Sequence, residues 1–123
     1  MRGLADEETN WVCNLANASS LLWHMYHSLG PPSSSVNWAG FYVLDAREHD
    51  RLILGPFHGK VACQRIEFGK GVCGTAAEEG KTILLEDVKD FPHHIACDAD
   101  SKSEIVVPIK VGSEVSPPQG VRK

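Results

Sequence analysis

The hydrophobic pattern between residues 7 and 29 is that of an amphipathic helix. Apolar side chains recur there at steps of four and three, which places them on one face of a helix. Acidic residues at positions 6–8 stand at its start, where the helix dipole favours negative charge, and Gly-Pro-Pro at residues 30–32 ends it. The sequence therefore predicts one helix over residues 7–29, whose apolar stripe consists of Trp11, Leu15, Ala18, Leu22, Met25 and Leu29.

A strand-like pattern begins at residue 37 and returns at intervals up to residue 111. β-branched and aromatic residues occur in short runs separated by polar or Gly-rich turns, as strands and turns require. Gly55-Pro56 is expected to end the second run, and Pro108 indicates an edge or a bulge in the last one. The predicted strands are residues 37–44, 51–54, 61–67, 82–85 and 104–111.

A short helix and a long loop separate these strands. A Gly-rich turn at residues 68–71 leads into a predicted helix over residues 72–79, which Gly80 ends. Residues 86–103 show no periodicity, and long ordered loops in small domains tend to be functional.

The order of helix, three strands, short helix and two strands predicts an α+β domain. Hairpin-length connections favour a central antiparallel sheet with helices packed on one face. A dinucleotide-binding fold is excluded, because the glycine pair at residues 69–71 lacks the third glycine and the downstream acid, and no Walker A motif is present. We expect the domain to cover residues 1–111 and residues 112–123 to form a disordered tail.

Composition and charge narrow the class of protein. The 123 residues suffice for one domain, and a hydrophobic content of 42% with 23% charged residues is ordinary for a globular protein. The net charge of −4 argues against a nucleic-acid surface. No apolar run approaches the ~18 residues of a membrane span, and the N-terminus lacks a secretory signal. These features predict a cytoplasmic protein that binds neither nucleic acid nor membranes.

Four cysteines stand out from this background, and none of them forms a CxxC pair. Cys73 lies at the first turn of the short helix, where backbone N–H groups and the helix dipole would help a thiolate to form. Cys97 lies in the long loop, where reactive groups are common. Packing is an equally good explanation for Cys73 and a plausible one for Cys97. Cys63, on its predicted strand, is better explained as core, and Cys13 needs no functional interpretation.

A zinc site can be assembled on paper from His93, His94 and Cys97. Adjacent histidines in a loop are more often solvated than bound to a metal, and the fourth ligand has no obvious source. We therefore predict no metal.

Three further residues are candidates for a site. Glu104 opens an apolar strand, where a carboxyl group beside apolar surface can act as an acid, although a solvated strand-end Glu is commoner. Trp38 and Tyr42 are four residues apart on a strand and therefore share a face. They fit an aromatic pocket, or simply the core.

Taken together, these segments closely resemble the free methionine-(R)-sulfoxide reductases, which are single GAF-domain enzymes. The resemblance runs in order from residue 14 to residue 111. Its most specific part is GVCGTA followed by IACDA, in which the second cysteine comes 97 − 73 = 24 positions after the first. The other matching segments are NLANAS, NWAGFYVL, LILGPFHGKVACQRIEFGKG and SKSEIVVPI.

The resemblance implies reduction of free L-methionine (R)-S-oxide through a cysteine sulfenic acid and an intramolecular disulfide. No bound cofactor is implied, since electrons would come from NADPH through thioredoxin reductase and thioredoxin. The implied roles are attack by Cys97, resolution by Cys63 with Cys73 as an alternative or relay, protonation of the sulfoxide oxygen by Glu104, and an S-methyl pocket of Trp38 and Tyr42.

The sequence departs from the family at both ends. Family members continue into a further strand with a pair of aspartates and then a helix, whereas this chain turns into SEVSPPQGVRK. It also begins without an earlier helix. We therefore expect a GAF-like fold without its last strand and helix, and a truncated form of the enzyme. The alternatives are an inactive isoform, a non-catalytic GAF module that binds a small ligand, or a redox sensor; a homodimer is compatible with each.

Overall fold

The computed structural model describes residues 2–92, 100–111 and 114–115. The chain divides into two compact units. Of the described residues, unit 1 contains residues 2–42 and 55–60, and unit 2 contains residues 43–54, 61–92, 100–111 and 114–115.

Unit 1 is built on two helices, α1 (Arg2–Ala5) and α2 (Trp11–Ser28). The predicted long helix starts four residues late because Asn10 caps it: the Val12 N–H donates to Asn10 Oδ1 at 3.0 Å. The Asn10 N–H in turn donates to Glu8 Oε1 at 2.7 Å, so the acidic residues precede the cap instead of forming the first turn. The predicted end is confirmed, with Gly30 in the left-handed region at φ +72°.

The apolar stripe of α2 is only partly confirmed. Leu15 and Leu22 are half-buried, but Met25 and Leu29 are exposed. The most buried residue of the helix is Ser19, which has no accessible surface. The deepest point of this face is therefore a hydroxyl group, which a stripe of apolar residues does not predict.

Three strands form the first sheet, β1 (Trp38–Leu44), β2 (Arg51–Gly59) and β3 (Arg65–Glu67), in the order β1-β2-β3. The prediction that β2 ends at Gly55-Pro56 is wrong. The register with β3 covers only Arg51–Ile53, so Pro56 lies where β2 no longer has to donate a hydrogen bond to β3. Gly40 of β1 lies so close to Phe57 that a side chain there would collide with it.

Strand β3 is shorter than the predicted strand over residues 61–67. The Leu54 N–H still donates to the Gln64 carbonyl at 3.0 Å, but residues 61–64 are not in a strand. The expectation that Cys63 points inward from a strand is therefore wrong, because regular pairing starts only at Arg65.

Helix α3 (Gly71–Glu79) confirms the predicted short helix, and Gly80 caps it at φ +60°. It contacts β3 closely, since a side chain at Gly74 would collide with the Glu67 carbonyl group. The absence of a Cβ at position 74 thus allows α3 to pack directly on the backbone of β3.

The second half of unit 2 contains two antiparallel pairs, β4 (Ile83–Leu85) with β5 (Glu104–Val106) and β6 (Lys110–Val111) with β7 (Glu114–Val115). The predicted strand over residues 104–111 is divided, and Pro108 lies in the break. The described residues thus form three small sheets where one central sheet was expected. Strand β7 lies within the predicted tail.

These elements confirm the predicted α+β class. The core sits mainly in unit 2, where the buried apolar residues are Val43, Leu44, Leu52, Ile66, Val72, Ala76, Ala77 and Val88. In the β4–β5 pair, the cross-strand partners Leu84 and Ile105 are exposed. In the described part of the chain, no helix combines the length and apolar character needed to cross a membrane.

Candidate functional site

The centre of the candidate site in unit 2 is a contact between Cys73 and Glu104. Cys73 is the third residue of α3, and Glu104 is the first residue of β5, paired with Leu85 of β4. The Cys73 thiol donates a hydrogen bond to Glu104 Oε1, with 3.5 Å between sulfur and oxygen. Both side chains are half-buried. The fold therefore joins two of the predicted site residues that lie 31 positions apart in sequence.

The surroundings of Cys73 hold its proton. Burial raises the pKa of the thiol well above its usual range, because a thiolate there would lose its hydration. The Glu104 carboxylate raises this pKa further, because it opposes a second negative charge and accepts a hydrogen bond from the thiol. The expectation of an easily formed thiolate at the start of the helix is therefore wrong. Desolvation and the neighbouring carboxylate both oppose ionisation of this thiol.

The cysteines of the described residues differ in their bonding. Cys63, half-buried in the segment before β3, is in a disulfide. Cys73 is a free thiol, as is Cys13, which is exposed on α2. Cys97 lies outside the described residues, as do His93 and His94. The described cysteines thus include both a disulfide-bonded residue and free thiols.

An aromatic stack occupies unit 1. The rings of Trp38 and Tyr42 lie 5.9 Å apart between centroids and 24° from parallel, so the prediction that they share a face is confirmed. Phe57 stacks on the same indole at 5.5 Å and 19°. The Trp38 Nε1 atom is buried without a hydrogen-bond partner among the described residues. The stack thus combines an apolar surface with one unused N–H donor.

A polar contact fixes β2 against α2 beside this stack. The Ser19 hydroxyl donates to the Ala16 carbonyl at 2.9 Å and lies 3.3 Å from His58 Nδ1. Whether the hydroxyl accepts from His58 or donates to it depends on the tautomer of the imidazole ring. The contact thus ties α2 to β2 at the residue that follows Phe57.

Among the residues that the structure describes, no group of three His, Cys, Asp or Glu side chains is arranged to hold a metal ion. The histidines considered for a zinc site, His93 and His94, are not among them.

The family is decided by comparison with known proteins. The sequence profile of the GAF domain matches residues 21–116, which is most of the chain. The chain belongs to the GAF-domain family.

Within this family, the predicted resemblance to free methionine-(R)-sulfoxide reductases is confirmed. The chain is 64% identical over 107 residues to a protein of Saccharomyces cerevisiae named free methionine-R-sulfoxide reductase, covering 87% of the chain and 58% of that protein. It is 48% identical over 108 residues to the Escherichia coli protein of the same name, covering 88% of the chain and 59% of that protein. The chain thus spans less than two thirds of the length of these relatives.

A solved structure agrees with this assignment. It is the X-ray structure of free methionine-R-sulfoxide reductase from Neisseria meningitidis in complex with its substrate, at a TM-score of 0.79 and 42% identity. The likeness covers 92% of this chain and 62% of that one.

In this GAF domain, the predicted site residues divide between the two units. Trp38 and Tyr42 lie together in unit 1, and Cys63, Cys73 and Glu104 lie in unit 2. Sequence reasoning missed Phe57, because Gly55-Pro56 suggested that the strand had already ended. The available signal was the spacing of Phe57 from Ile53, since residues an even number of positions apart on a strand share a face.

Proposed function

We propose that the chain reduces free L-methionine (R)-S-oxide to L-methionine with its own cysteine thiols. The observation that carries the proposal is its 64% identity to the yeast protein named free methionine-R-sulfoxide reductase. The disulfide at Cys63 and the carboxyl group of Glu104 beside a thiol support it, because thiol-dependent reduction of a sulfoxide requires both kinds of group.

The reaction consumes two thiols for each sulfoxide. The Cys97 thiolate attacks the sulfoxide sulfur, the oxygen takes up a proton, and methionine leaves while Cys97 becomes a sulfenic acid. The Cys63 thiol then attacks this sulfenic acid, forms a disulfide and releases water. The sum is one sulfoxide and two thiols converted into methionine, one disulfide and water.

We assign Cys63 as the resolving residue and Cys97 as its partner. Cys63 is disulfide-bonded, while Cys13 and Cys73 are free thiols. A disulfide between Cys63 and Cys97 would leave the described cysteines in these states. The notion that Cys73 attacks or relays is less well supported, because burial and Glu104 keep its thiol protonated.

Glu104 is the proposed proton donor to the sulfoxide oxygen. Proton delivery to the sulfoxide oxygen in the transition state makes the sulfoxide sulfur more open to attack by the thiolate, and a positioned carboxylic acid is suited to this. Glu104 lies half-buried at the start of β5 beside the Cys73 thiol. In this role its carboxylate takes up a proton before delivering it to the sulfoxide oxygen.

Trp38 and Tyr42, with Phe57 stacked on the indole, are the proposed surface for the S-methyl end of the substrate. Flat aromatic faces fit a thioether methyl group, since sulfur and its attached carbons pack well on rings. Thioredoxin, reduced by NADPH through thioredoxin reductase, is the proposed reductant of the disulfide. A cytoplasmic location and a homodimer stay predictions.

The test is methionine formation by the purified chain with NADPH, thioredoxin reductase and thioredoxin, with the R and S epimers of the free sulfoxide supplied in parallel. We expect methionine from the R epimer only, with one NADPH oxidised per methionine. Methionine formed with dithiothreitol but not with thioredoxin would reject thioredoxin as the partner. Binding without methionine from either reductant would reject the reductase and favour a non-catalytic GAF module.

A further inference from the structure

Cys73 is held on a rigid part of unit 2. Its neighbour Gly74 packs against the backbone of β3 where no side chain fits, and the Gly69 N–H donates to the Gly74 carbonyl at 3.0 Å. The Thr75 hydroxyl donates to the Gly71 carbonyl at 2.7 Å, within the same turn of α3. The backbone at Cys73 is therefore held by packing and hydrogen bonds on both sides.

Glu104 faces this sulfur from the opposite element. Its backbone is fixed by pairing with Leu85, and α3 contacts β5 directly. A glutamate side chain has three rotatable bonds, so a fixed backbone does not by itself determine where the carboxyl group points. The donor at 3.5 Å, the Cys73 thiol, restricts those rotations.

We propose that Cys73 is a positioning residue, whose thiol orients the carboxyl group of Glu104 for proton transfer to the sulfoxide oxygen. The thiol neither attacks the substrate nor enters a disulfide in this role. The inference rests on the proposed reductase function and gives Cys73 a task different from those of Cys63 and Cys97.

The chemistry of the pair supports this role. A positioning donor must keep its proton, and burial together with the Glu104 carboxylate raises the pKa of the Cys73 thiol far from neutrality. A nucleophile would need the opposite, since only the thiolate attacks sulfur. Cys73 is also a free thiol in a structure where Cys63 is disulfide-bonded.

The experiment compares Cys73→Ala and Cys73→Ser, each also in a Glu104→Gln background, in the assay with the R epimer. We expect Cys73→Ala to lower kcat about 10-fold or more, because the hydrogen bond that orients the catalytic carboxyl group is lost, with KM changed by less than about threefold. Serine keeps a donor but cannot be oxidised to a sulfenic acid, so Cys73→Ser should recover most of kcat. In the Glu104→Gln background, Cys73→Ala should cost less than about twofold, because the two residues act together.

Several results would overturn the inference. An inactive Cys73→Ser variant would make Cys73 a redox residue, and wild-type kcat in Cys73→Ala would remove any role. An equal loss in the Glu104→Gln background would mean that Cys73 acts on structure alone. A wild-type chain without turnover would reject the proposed function and the inference with it, whereas an active wild type with an unaffected Cys73→Ala rejects the inference only. Cys13→Ala, at the exposed free thiol, is the matched control and should be fully active.

Discussion

Replacing Cys97 with serine is expected to abolish methionine formation even in a single turnover. A serine hydroxyl is not ionised at neutral pH and cannot pass through a sulfenic acid, so the first bond to the sulfoxide sulfur does not form. Replacing Cys63 with serine removes only the second step. The Cys63→Ser variant should therefore release about one methionine per chain and then stop, with a sulfenic acid left on the protein. Quenched-flow measurement of methionine, with no external reductant, checks both results.

The control for this pair is Cys13→Ser, because Cys13 is an exposed free thiol on α2 that no step uses. It should release methionine like the wild type. The assignment of roles is contradicted if Cys97→Ser still releases one methionine per chain, or if Cys63→Ser releases none. Release lost in Cys73→Ser and kept in Cys97→Ser would identify Cys73 as the attacking residue.

The second large effect is expected from Glu104→Gln. The glutamine amide keeps the shape of the side chain but cannot deliver a carboxylic proton, so kcat should fall about 100-fold or more, within the range of a lost general acid. KM should change far less, because binding of the methionine part does not depend on this proton. Steady-state kinetics with the R epimer separate the two constants.

Glu86→Gln is the matched control for this substitution. Glu86 follows β4 directly and is exposed, so its replacement removes the same charge from the neighbouring strand without touching the Cys73 contact. It should leave kcat near the wild-type value. Equal losses in both variants would point to general electrostatics, and an unchanged kcat in Glu104→Gln would reject Glu104 as the proton donor.

The helices of this protein could be predicted because their signals are local. The helical periodicity of residues 7–29 depends on residues close together in sequence, and so does the end of the short helix at Gly80. The structure has a helix in each place. The start of α2 was misplaced because Asn10 and Glu8 form a cap whose strength depends on side-chain geometry. The class α+β follows from the order of such elements.

The strands were predicted less well because their ends depend on partners. Whether Pro56 ends β2 depends on where β3 stops pairing, which is not a property of residues 55–56. The same holds for Phe57, whose place in the aromatic stack follows from that continuation. In the run over residues 104–111, Pro108 indicated an edge or a bulge, but not a division between two sheets.

The candidate site residues could be predicted from the resemblance, but the electrostatics of the site could not be predicted. The helix start suggested a reactive Cys73, yet the group that decides its protonation is Glu104, brought to it from 31 positions away by the packing of α3 on β5. Burial of the thiol is likewise a result of the whole unit. Local sequence thus pointed to Cys73 but not to the contact that opposes its ionisation.

The central claim is that this GAF domain reduces the free sulfoxide at the expense of two of its own thiols. The direct measurement is a count of free thiols on the fully reduced chain before and after reaction with free methionine-(R)-sulfoxide, with methionine measured in the same sample. We expect four thiols before and two after, with one methionine formed per chain and Cys13 and Cys73 still free. Bound sulfoxide with all four thiols intact, or methionine formed without loss of thiols, would contradict the claim.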